Sequence, residues 1–180
     1  MLIDRIVRTF SFKRGVYTEV AQDETFTPTA HGLIALMAVS SALVSQAAAG
    51  AGFSLFGAVG YSLFYAAGLA FLVFVINLVS VSFFKGKGSY SGLLRAAALA
   101  ITWLLLSDAF SLLGGMVPFL RFALTCAGVL VLLVFLAALS MATSEVHAMA
   151  IGSAMAAVLV TVAALAILVF CVASLFLMAL

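Results

Sequence analysis

Apolar residues near the start of the chain recur every three or four positions. Leu2, Ile3, Ile6, Val7 and Phe10 are interleaved with Asp4, Arg5 and Arg8. After Gly15 a second short pattern sets Val16, Tyr17 and Val20 against Glu19, Gln22 and Asp23. Both have the period of an amphipathic helix, so they predict two short helices lying at headgroup level, basic residues toward anionic lipid. The pattern then changes abruptly. Sixty consecutive residues, Thr25 to Phe84, contain no Lys, Arg, Asp or Glu. A hydrocarbon core takes roughly 20 apolar residues per helix, so this block predicts two spans.

Punctuation along the chain sets the boundaries. Thr27-Pro28 reads as a helix start, because Thr can cap a first turn and Pro at the first helical position leaves no N–H unpaired. The first predicted span covers about 29–49 and stops at Gly50-Ala51-Gly52. Residues 53–84 would make about 48 Å of helix, more than the ~30 Å core needs. A loop to about Gly57 is therefore expected, with the second span over 58–84. Lys85-Gly86-Lys87-Gly88-Ser89-Tyr90-Ser91-Gly92 is the clear polar turn. The third span covers about 93–113, ending at Gly114-Gly115 with Pro118 beyond, and the fourth about 122–142. Thr143 to His147 reads as a short solvated turn before a fifth span over about 149–175. The expected architecture is an all-α integral membrane protein. A five-helix transmembrane bundle fills 28–180, behind a short amphipathic N-terminal region over 1–27.

Composition agrees. The chain is 67% hydrophobic and 8% charged, with mean hydropathy +1.37, against about 25% charged residues in soluble domains. A net charge of +2 is too small to point to nucleic acid. The first residues carry scattered charges and no uninterrupted apolar stretch, so no cleavable signal peptide is expected, nor a lipidation motif. Arg5, Arg8, Lys13, Arg14, Lys85, Lys87 and Arg95 fall on one side of the predicted spans and Arg121 alone on the other. That bias places the N-terminus in the cytoplasm and the C-terminus outside.

Intramembrane charge is costly and so marks candidate sites. Asp108 lies about one turn inside the outer end of the third span. It could carry a proton, hold a cation or meet a partner chain; structurally, it could pair with Arg121 or reach water. Arg95, 13 residues earlier, lies roughly 20 Å away along the helix. It cannot pair with Asp108 and is expected to snorkel to the cytoplasmic surface. Glu145 and His147 are expected in a solvated turn, and His31 at the interface. Gln46 and Asn77 are expected to hydrogen-bond between helices, worth about 1 kcal/mol. Cys126 and Cys171 read as small buried hydrophobes, a disulfide being the alternative because the topology sets both toward the outer face. No phosphate-binding loop, hydrolase elbow or zinc-protease motif is present, so no enzyme activity, cofactor or metal is expected. Five spans without a matching pair of broken helices also do not suggest an inverted-repeat transporter. Runs such as Ala47-Ala48-Ala49, Ala96-Ala97-Ala98 and Gly152-Ser153-Ala154 allow close helix approach.

The chain resembles the Yip (Ypt-interacting protein) family, in particular its prokaryotic members. Val16-Tyr17-Thr18-Glu19-Val20-Ala21-Gln22-Asp23, followed by Thr27-Pro28-Thr29-Ala30, is similar to the acidic pre-membrane helix and proline-started first span. Phe84 to Tyr90 with Leu93-Leu94-Arg95 is similar to the glycine-rich second turn, and Pro118 after paired glycines to the third. The resemblance implies a five-helix protein of a prokaryotic cytoplasmic membrane, acting as an organiser or adaptor. The Asp-Leu-x-Gly-Pro and Gly-Tyr motifs of eukaryotic members are absent, which argues against a small GTPase as partner.

The expected function is a non-enzymatic membrane scaffold. Glu19, Asp23 and Glu24, with Lys13 and Arg14, would present a partner-binding surface, and small-residue helix faces would mediate assembly with a membrane protein or a second copy. The alternatives are a small-solute or ion permease, with Asp108, Asn77 and Gln46 lining a path, and an accessory subunit of a larger membrane complex.

Overall fold

The computed structural model describes residues 2–49 and 53–178, and all its regular elements are helical. Two short helices come first, α1 (Leu2–Phe10) and α2 (Val16–Gln22). Five long ones follow: α3 (Thr27–Ala49), α4 (Leu55–Phe84), α5 (Tyr90–Met116), α6 (Arg121–His147) and α7 (Ile151–Met178). The predicted stop at Gly50-Ala51-Gly52 lies outside the described residues.

Three boundaries differ from the sequence reading, each for a local reason. The chain enters α3 through a 3-10 turn, Glu24–Phe26, capped by Asp23 rather than by Thr27. Asp23 Oδ1 accepts from the Thr25 N–H at 3.1 Å, which leaves the Thr27 hydroxyl for another use. The loop expected to reach Gly57 ends sooner. Ser54 Oγ accepts from the Gly57 N–H at 3.1 Å and starts α4 at Leu55. The 30-residue α4 is then about 45 Å long. The turn expected at Thr143–His147 is helix instead. Thr143 Oγ1 donates to the Leu139 carbonyl at 2.8 Å, so its hydroxyl is satisfied within α6. Reversal waits for Ala148, which takes a left-handed conformation at φ 51° with its N–H on Ser144 O.

The centre of the molecule is the first half of α5. Leu93 to Thr102 are all buried. Ala96, Ala97, Ala98 and Ala100 there are small enough to bring α3, α4 and α6 close. Three other helices are buried over the halves that meet this region, Ala30 to Ala42 in α3, Leu69 to Ser80 in α4 and Val131 to His147 in α6, and α7 is buried from Ala154 to Thr161 where it packs on α4 and α6. Their other halves are mainly exposed, with Phe56, Phe64, Phe122 and Phe170 among the large apolar side chains there. The bundle is thus tightly packed at the end where α1 and α2 dock and loosely packed at the far end.

The two short helices divide the role expected of both. Val16, Tyr17 and Val20 of α2 are fully buried in the core, instead of facing lipid. In α1, Ile3 and Val7 remain outward, at 77% and 55% exposed. Phe10 meets Trp103 of α5 edge-on at 4.4 Å, and Phe12 stacks on the same ring at 5.8 Å.

Candidate functional site

A seven-residue helix is marginal by itself, and α2 is held at both ends by residues far away in the chain. Its N-cap is Gly15, in the left-handed region at φ 85°, with no side chain to offer the first turn. Glu145 of α6 supplies the missing acceptor. Its Oε1 takes the Gly15 N–H at 2.9 Å and its Oε2 the Thr18 N–H at 3.2 Å. A carboxylate at a helix N-terminus also opposes the positive end of the helix dipole. At the other end Arg95 donates to the Ala21 carbonyl and, at 3.1 Å, to the freed Thr27 hydroxyl. Arg95 is therefore not a snorkelling residue. It is 8% exposed and joins α5 to the end of α2 and the start of α3.

Ion pairs fasten α1 to α2. Arg5 bonds Glu19 at 3.0 Å and Asp23 at 2.8 Å, and Arg8 bonds Glu19 at 2.7 Å. The Arg5 guanidinium also lies over the Phe26 ring, 5.2 Å from its centroid. Arg8 first, then Arg5, holds the Glu19 carboxyl below the usual carboxylate range. The Thr25 hydroxyl, with Arg5, does the same for Asp23. Beneath them, burial and the Glu145 charge push the Tyr17 hydroxyl above its usual range.

The polar turn completes this end. His147, expected in solvent, is 1% exposed. Its Nδ1 accepts the Gly88 N–H at 3.1 Å, and its carbonyl accepts the Lys87 N–H at 3.2 Å. The glycines here have a steric reason. A Cβ on Gly86 would lie 2.8 Å from His147 Nδ1, and one on Gly88 only 2.6 Å from the Val146 carbonyl oxygen. The solvated turn expected of Glu145 and His147 is thus a folded junction joining α2, the polar turn and α6.

Elsewhere the candidate residues are dispersed. Asp108 does not pair with Arg121; it accepts from Ser41 Oγ of α3 at 2.9 Å. Gln46 bonds the backbone of Ser54 twice, accepting its N–H at 2.8 Å and donating to its carbonyl at 3.1 Å, which ties α3 to the start of α4. Asn77 Oδ1 is buried without a partner among the described residues. His31 Nδ1 lies 2.8 Å from the Thr27 carbonyl, one turn back. Of the three carboxylates expected to face a partner, Glu19 and Asp23 are engaged with Arg5 and Arg8, while Glu24 is exposed. Cys126 and Cys171 are free and exposed, not buried as expected. Among the described residues no three His, Cys, Asp or Glu side chains gather as metal ligands.

Five helices long and apolar enough to cross a bilayer, around an α5-centred core, define an integral membrane protein of the all-α class. The chain matches no family model, and no curated protein or solved structure is similar to it.

Proposed function

We propose that the protein is a non-enzymatic scaffold of a prokaryotic cytoplasmic membrane, similar in kind to the Yip family, with its N-terminus in the cytoplasm. One observation carries this reading. The N-terminal segment is folded and anchored at both ends of α2 by Glu145 and Arg95, yet it leaves Lys13, Arg14 and Glu24 exposed. An anchored segment presents such charges in a fixed geometry, so a partner need not first order it. Glu19 and Asp23 shape this surface by holding α1, and Glu24 with the two basic residues makes the contact. The outward Ile3 and Val7 rest in the headgroup region.

The test is mild-detergent purification with mass spectrometry of what accompanies the protein. Lys13→Glu, Arg14→Glu and Glu24→Lys together should remove the partner while helix content and thermal stability stay as in the wild type. An unchanged set of companions contradicts the scaffold reading. The permease reading draws support from Asp108, a carboxylate within a span. Gln46, however, is committed to the Ser54 backbone, which leaves Asp108 with fewer companions on a path. Wild-type solute flux in liposomes that Asp108→Asn abolishes would favour it.

A further inference from the structure

At the far end α3, α5 and α6 splay around a cavity of about 750 Å³, within the size range of small-molecule sites. Val44 and Ala48 of α3, Phe110 of α5, and Leu124 and Leu132 of α6 form apolar walls, and Arg121 stands among the lining residues as their charge. From Arg121 to Leu132 the cavity follows 11 helical steps of α6, about 16 Å. That is roughly half of a ~30 Å hydrocarbon core, or the depth of one leaflet.

Two of the three hydroxyls in its walls are turned back on their own helices, while that of Ser107 is open. Ser111 Oγ donates to the Ser107 carbonyl at 3.0 Å, and Thr125 Oγ1 to the Arg121 carbonyl at 2.8 Å. Between them, Val44, Ala48, Phe110, Leu124 and Leu132 offer an occupant hydrocarbon along the length of the cleft. Arg121 is different. It is exposed and takes part in none of the ion pairs among the described residues, all of which lie in the N-terminal segment. Asp108, the carboxylate that could have reached it, is held by Ser41. An exposed guanidinium lining a leaflet-deep cleft walled by Val, Leu and Phe side chains is complementary to a phosphodiester joined to an acyl chain.

We propose that this cleft binds one anionic membrane phospholipid, an acyl chain between α3, α5 and α6 and its phosphate on Arg121. This site goes beyond the scaffold reading and does not depend on it.

Native mass spectrometry of the full chain, titrated with phosphatidylglycerol or phosphatidylcholine in micelles, tests it. The wild type should retain one phosphatidylglycerol in preference to phosphatidylcholine. Arg121→Gln should cut phosphatidylglycerol retention about tenfold and leave phosphatidylcholine unchanged. Gly128→Leu should fill the cleft and abolish retention of both. A Cβ on Gly128 would meet Ser107 Oγ at an ordinary 3.6 Å, and one on Gly115 would meet nothing within 4 Å. Gly115→Leu is therefore a second filling variant should the first misfold. Equal retention by the wild type and both filling variants means annular lipid only and overturns the proposal. So does phosphatidylglycerol binding that ignores Arg121→Gln, or a dimer that filling the cleft dissociates, which would make the occupant a second copy.

Discussion

The two ends of this helical bundle differ in how they treat polar groups. Where α1 and α2 dock, charged side chains are bound across long sequence distances: Arg95 to Ala21 and Thr27, Glu145 to Gly15 and Thr18. Glycines there are in tight contact with His147 and Val146. Toward the far end the ties are fewer, Ser41 to Asp108 and Gln46 to the Ser54 backbone, while Ser111 and Thr125 bond their own helices, Gly115 faces open space and large apolar side chains remain exposed. The difference shows that apolar content does not by itself pack a membrane bundle. Lipid competes on equal terms for apolar surface, so close packing follows small residues and polar ties.

Removing a tie should therefore matter most at the end where α1 and α2 dock. Arg95→Ala leaves the Ala21 carbonyl without its charged donor and should cost about 2–3 kcal/mol, read as a lower melting temperature in detergent together with protease cleavage near α2. Gly88→Ala drives a methyl into the Val146 carbonyl and should cost about 2 kcal/mol. Its counterpart at the loose end, Gly115→Ala, should cost nothing and gain up to about 1 kcal/mol of helix propensity. Equal losses from the two glycine variants would break the comparison. Glu145→Gln keeps an acceptor but removes the charge from the start of α2, and about 1 kcal/mol should go with it.

Acid should give the smallest effect. Glu19 and Asp23 have folded pKa values below their unfolded ones, so their contribution is present above the ordinary carboxylate range. It is lost as pH falls through the depressed values, below about pH 4. Spin labels on α1 and α2 should separate there, while labels on α5 and α6 stay in place.

Much of the fold was legible in the sequence because hydrophobic length and glycine punctuation are local properties. The uncharged block, the lysine-glycine turn and the paired glycines located the spans, while the reversal expected at Thr143–His147 comes instead at Ala148. The junction at the packed end was not legible, because its partners lie far apart in sequence. Arg95 looked like a snorkelling residue, since nothing near it in the chain reveals that α2 folds back over it. His147 looked solvated for a similar reason: its burial depends on the polar turn, 59 residues away. Two of the three acidic residues expected to face a partner, Glu19 and Asp23, are ion-paired instead, because Arg5 and Arg8 come within reach only once α1 lies along α2. The cleft around Arg121 had no sequence signal, as a void between three helices has none.

The central claim is that α2 is docked structure, anchored by Glu145 and Arg95, and not a solvated leader. Hydrogen–deuterium exchange of the full chain in lipid nanodiscs tests this most directly. Amides of Val16–Gln22 should be protected to the same order as those at the start of α5, and Glu145→Gln should speed their exchange without affecting α7. Exchange of Val16–Gln22 at the rate of an unstructured peptide in the wild type would contradict the account.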